Sequence, residues 1–164
     1  MASRINDKLR IEIEGAAEVA ANLNAFKAGK ARKMMRSGMT KALRRLLKKV
    51  KAAAPHDSYA LYKSLISETR TEKKDKIIIG VVGVAKQGSY TYTTHDGKQK
   101  HPNIYGYAVE RGTVERYTKK GKRLGRVRAA AFMQNTLDGF RGEFDAIYQQ
   151  AVSEAIAREF AKTK

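Results

Sequence analysis

From Lys30 to Ala54 the chain places Met35, Met39, Ala42, Leu43, Leu46, Val50 and Ala53 at intervals of three and four. That spacing predicts one long helix with a single apolar stripe. Pro55 ends it, because proline restricts the residue before it and has no N–H to donate. A stripe of this length has to be covered by a second layer of structure, and it is expected to pack on a sheet. The methionines read as core packing.

The covering layer is visible on either side. "KLRIEIEG" alternates Leu9, Ile11 and Ile13 with charged residues and stops at Gly15, a half-buried strand. "AAEVAANLNAF" reads as a short helix with Val19, Leu23 and Phe26 on one face. "SLISETRTEKKDKIIIGVVGV" gives two strands around a charged turn at Glu72 to Asp75. Ile77 to Val84 is β-branched and nearly continuous, which suits a central strand, and Gly80 and Gly83 point to a bulge or a close backbone approach. Residues 86–102 read as a projecting hairpin turning at Asp96-Gly97, with Tyr90 and Tyr92 on its ascending arm. "YGYAVERGT", residues 105–113, closes a short helix, with Gly112 as its cap and Glu110 as a buried carboxylate held by backbone donors or an arginine.

Residues 114–128, "VERYTKKGKRLGRVR", read as a basic flexible loop or extended arm. Phe132 to Phe160 is a second long helix with Met133, Leu137, Phe140, Phe144, Ile147, Tyr148, Ala151 and Ala155 along its stripe; Gly139 and Gly142 weaken its beginning. The expected fold is one domain over residues 1–164, of the α+β class. A small, mainly antiparallel sheet packs against two long helices, with projecting loops.

Candidates for chemistry are few. The chain has no cysteine, which excludes a disulfide framework, a thiolate metal site and a thiol nucleophile. His56, His95 and His101 have no partner at metal-ligand spacing, and the His-Asp pairs at 56–57 and 95–96 lack the further ligands a phosphohydrolase needs. Ser58 and Ser64 are not on a glycine-flanked elbow, and "GVVGVAKQG" is not a phosphate loop. No cofactor and no enzyme activity are expected. No run of about 18 apolar residues suggests a membrane span, and "MASRINDKLRIEIEG" has no signal-peptide core.

Charge is what remains. The formal net charge is +18, and it is concentrated. Residues 27–51 hold eleven Lys or Arg and residues 116–128 hold seven, with no acid in either, while 129–164 is close to neutral. A solvated face does not need so many bases. The expected contact set is Arg36, Lys41, Arg44, Arg45, Lys48 and Lys49 on the helix, with Arg116, Lys119, Lys120, Lys122, Arg123 and Arg126 on the following loop. Its occupant is left open between a polyanion and acidic protein partners. No helix-turn-helix, zinc finger or aromatic RNA-binding motif accompanies the bases, so nucleic-acid binding would be non-specific.

Read in order, several segments resemble the tail-completion or head–tail joining minor tail proteins of lambda-like siphophages. "IEIEGAAEVAANL" is similar to that family's opening strand, glycine and amphipathic helix. In "KAAAPHDSYALYKSLISETR", Ala54-Pro55, Leu61 and Ser64-Leu65 match in place, while Ser58-Tyr59 stands where Thr-Gly is usual. "YGYAVERGT" matches a helix ending in Glu-x-Gly-Thr through Tyr105, Glu110, Gly112 and Thr113. "RAAAFMQNTL" matches the start of the last helix at Phe132, with Ala131 in place of the family's proline.

The resemblance implies a structural virion protein of the neck, made in the host cytoplasm and assembled as a homo-oligomer. A ring is the form implied, with six copies the number that would match a tail's symmetry. Its implied partners are the tail terminator, tail tube or head-side connector, and the basic patches would face acidic neighbours or packaged DNA. The alternative is a non-specific nucleic-acid-binding accessory protein.

Overall fold

The computed structural model describes residues 5–13, 28–55, 60–72, 77–86, 91–93 and 97–162. The short helix expected at 16–26 lies outside them, as do residues 73–75 of the charged turn expected at Glu72 to Asp75, and Tyr90, His56, His95 and Asp96. In chain order the elements are β1 (Ile5–Ile13), α1 (Ala28–Ala53), α2 (Ala60–Ser64), β2 (Leu65–Glu72), β3 (Ile77–Ala85), β4 (Tyr92–Thr93) and β5 (Gln99–Lys100). They continue with α3 (Pro102–Arg111), β6 (Arg116–Tyr117), β7 (Arg123–Gly125) and α4 (Phe132–Ala161). This is an α+β fold.

The main sheet runs β1-β3-β2, antiparallel throughout, with Gly80 between Ile11 and Thr69. β3 is therefore central, and its unbroken apolar run follows from that position. Ile78 to Ala85 are all buried. Because side chains alternate along a strand, Ile78, Val82 and Val84 join the main core, while Ile79 and Val81 form a second cluster with Ile66 and Ile77.

α1 lies across the first of those faces. A Cβ on Gly80 would stand 2.7 Å from Met39 Sδ and 2.8 Å from a Leu43 methyl, so this glycine marks a close approach and not a bulge. The one irregularity in the β1–β3 ladder falls between Ile5 and Asp7. α4 packs along α1, and the closeness of the two is again set by a glycine. A Cβ at Gly38 would meet Val152 at 2.8 Å. Phe140, fully buried, meets Phe144 edge-on with ring centroids 6.4 Å apart, beneath the α1 stripe.

Most of the expected stripe is confirmed. Met35, Met39, Ala42, Leu43, Leu46 and Val50 are all core residues. Its last position is corrected: Ala53 is exposed and Ala54 is buried, because the chain leaves the helix there and turns toward Pro55. α2 was not anticipated. Its five residues bury Ala60, Leu61 and Ser64 before β2 begins. The expected hairpin pairs Tyr92 with Lys100 and Thr93 with Gln99, and Gly97 takes a φ of 75° in the connecting turn. The stretch 114–128, expected as a flexible loop, contains a second short hairpin of β6 and β7. Thr118 O accepts the Gly121 N–H and the Thr118 hydroxyl accepts the Lys122 N–H, while Gly121 adopts a φ of 76° that favours glycine.

Candidate interaction surfaces and the corner that holds them

α3 starts with Pro102 in its first turn, where the missing N–H costs nothing, and ends at Gly112, whose φ of 76° suits a residue without a Cβ. Space demands glycine there as well: a Cβ would lie 3.0 Å from Ala129 N and 3.1 Å from Val127 O. Two residues earlier, Glu110 is buried, at 8% exposure. Its Oε2 accepts the Met133 N–H and its Oε1 accepts the Gln134 N–H, both at 3.0 Å. Of the two holders expected for this carboxylate, backbone donors are the ones present.

Those two donors are orphan amides in the first turn of α4, the groups that an N-cap side chain ordinarily satisfies. Ala131 precedes the helix and has no side chain able to do so, and α4 has no acid in its first turn. Glu110 supplies both the acceptors and the negative charge at the positive end of the helix. Around it, Ala130 N donates to Val109 O, Ala131 N to Glu110 O, Thr113 N to Val127 O, and Val127 N to Thr113 Oγ1. Phe132 is buried behind the corner, and Tyr105 packs against the same core. Pro55 closes α1, Leu61 is core, and Ser64 Oγ donates to Leu61 O at 2.8 Å. The residues of the recognised motifs thus serve as joints of the fold.

Ala131 is one of the two places where this chain departs from the pattern it resembles. Its φ is 46° and its N–H is bonded, and proline can match neither.

The basic side chains of α1 fall into two groups. Lys30 pairs with Glu159, Lys41 with Glu154 at 2.9 Å, and Lys49 with Glu143 at 2.7 Å, so as α1 ascends α4 descends. Lys49 also lies 5.0 Å from the Phe140 ring centroid. The hydrogen bond and adjacent charge of Lys41 hold the Glu154 carboxyl below its ordinary value, and the hydrogen bond from Lys30 does the same for Glu159. Burial pushes the Tyr148 phenol up. Arg36 donates to Thr69 O at 3.2 Å, covering part of the outer edge of β2. Lys41 and Lys49 of the expected contact set are therefore engaged within the chain. Arg44, Arg45 and Lys48 are exposed and have no ion-pair partner among the described residues. Beside them Lys33, Arg36, Thr40 and Arg44 line an open groove of about 480 Å³.

The second basic surface is the β6–β7 hairpin and its base. Arg123 pairs with Glu115, and Arg116 Nε reaches Gly125 O at 3.5 Å. Lys119, Lys120, Lys122 and Arg126 are exposed without an ion-pair partner among the described residues. At the base, an open groove of about 530 Å³ is lined by Tyr107, Arg111, Thr113, Arg126 and Arg128 among others. Arg111 stands over the Tyr107 ring at 5.2 Å. Sequence reasoning missed this groove, because its lining comes from α3 and from residues 126–129, which only the corner brings together.

Among the described residues no three His, Asp or Glu side chains are grouped to hold a metal, and no helix is long and apolar enough to cross a membrane. Compared with known proteins, the chain matches one family model, described as "Bacteriophage HK97-gp10, putative tail-component", over residues 17–112, more than half its length. None of the curated proteins and none of the solved structures compared with it matches.

Proposed function

We propose a structural role at the neck of a long-tailed phage for this chain, which belongs to the HK97-gp10-like family of bacteriophage tail components. In this reading it completes the tail and joins it to the DNA-filled head. It works as one of several identical subunits closed into a ring by heterologous contacts, and through buried interface instead of chemistry. The tail terminator, tail tube or head-side connector would be its neighbours.

The observation that carries the reading beyond the family is the division of charge on α1. Glu143, Glu154 and Glu159 are spent on Lys49, Lys41 and Lys30, which locks the two long helices together. Arg44, Arg45 and Lys48 are left on an exposed, rigid helix with no acid to meet within the described residues. Such a surface suits an acidic neighbour.

The test is a phage carrying Arg44→Glu, Arg45→Glu and Lys48→Glu. Filled heads and complete-length tails should accumulate separately, as seen by electron microscopy. Normal particles from that phage would mean that α1 is merely solvated and that the joint lies elsewhere.

A further inference from the structure

We infer that the β6–β7 hairpin, together with the arginine groove at its base, is a contact for the phosphate backbone of duplex DNA, without sequence preference. Four observations converge on it. Residues 114–128 carry seven bases against one acid, Glu115, and that acid is occupied by Arg123. The side chains of Lys119, Lys120 and Lys122 stand exposed at the turn, with no ion-pair partner among the described residues. The groove continues the same charge inward through Arg126, Arg128 and Arg111. Tyrosines are interleaved with the bases: Tyr117 is 59% exposed on the ribbon and Tyr107 49% exposed in the groove.

The alternatives fit less well. A second copy carries the same +18, and its α4 acids Glu143, Glu154 and Glu159 are already paired with α1, so it offers this surface little to meet. An acidic protein partner would call for an apolar centre with a charged rim, and lysine is depleted from such centres. Here Val114, Tyr117 and Leu124 are separated by Arg116 and Arg123, and the lysines occupy the tip. A two-stranded ribbon is of a size that the major groove admits, and lysine serves phosphate as a point charge. The α1 face also has a tyrosine beside a base, Tyr62 with Lys51 5.1 Å from its ring centroid, but it has no ribbon. The inference rests on the tail reading only for where packaged DNA would be met.

The experiment is fluorescence anisotropy of a labelled random-sequence duplex with the full chain, across a salt series. Each phosphate neutralised contributes a log–log slope of about −0.9. Lys119→Gln, Lys120→Gln and Lys122→Gln together should flatten the slope by roughly 2.7 on that basis. Arg141→Gln, Arg158→Gln and Lys162→Gln remove the same charge from α4 and the residue after it, and should leave the slope nearly unchanged. Circular dichroism confirms that each variant is folded.

Equal slopes in the two variants, or no binding by the parent chain, would overturn the inference. So would poly-glutamate that competes as well as unlabelled DNA, which would assign the hairpin to an acidic protein. Head–tail joining is scored separately in phage carrying the α1 reversals, so failure here leaves the neck reading standing.

Discussion

Glu110 holds the start of a helix that begins more than twenty residues after it, and that makes it the most sensitive single side chain in the corner. Glu110→Ala removes two acceptors from buried or half-buried amides and should cost about 2 kcal/mol, the upper range for a lost cap. Glu110→Gln should recover only part of it, since its amide turns a donor toward one of the two N–H groups. Urea denaturation of the three proteins orders them. Ala131 allows a sharper test of the same corner. Ala131→Pro removes the bond to Glu110 O and forbids the positive φ, so on the order of 3 kcal/mol should be lost. If that variant melts like the parent, the corner is not built as described. In the core, Leu46 is fully buried between α1 and its neighbours, and Leu46→Ala should cost roughly 2–5 kcal/mol in thermal unfolding.

At the scale of elements, the pairing of α1 with α4 has an electrostatic part that pH can remove. Glu154 and Glu159 both titrate below their ordinary 4.5 in the folded chain. A depressed carboxyl stabilises the fold above its unfolded pKa, and that contribution disappears as pH falls through the folded value. Stability should therefore decline from about pH 4.5 downward, and Lys41→Met should show a smaller decline than the parent. Melting curves between pH 7 and pH 3, repeated in 1 M salt to screen the pairs, test this; parallel curves for the two proteins would remove the pairs from the account. The β6–β7 hairpin is held by strands of two and three residues, so trypsin should cut first at Lys119, Lys120 or Lys122. In assembled particles those cuts should slow. Equal rates in both states would mean that the hairpin stays uncovered in the particle.

For the whole molecule, +18 is a barrier to self-association that a polyanion or acidic partner relieves. The isolated chain should stay monomeric at low salt, and copies should associate only when salt screens the repulsion or DNA is added. Light scattering behind a sizing column would show this. Oligomers that form at low salt and dissolve at high salt would instead reveal opposite charges meeting between copies.

The sequence alone determined what depends on periodicity and on local turn chemistry. The α1 stripe, the central β3, the glycine stop after Glu110 and the long last helix all follow from side chains a few positions apart, where the backbone repeat dictates the face. Family resemblance was legible for the same reason, since its motifs sit at helix ends and turns. Tertiary structure decided what depends on residues distant in the chain. Whether Lys41 and Lys49 face a partner or α4 is set by how closely two helices approach at Gly38. Whether Glu110 takes backbone donors or an arginine is set by where the chain returns at residue 133. Composition counts charges, but only packing shows which of them are already neutralised, because an ion pair needs its partners a few ångströms apart in space and not in sequence.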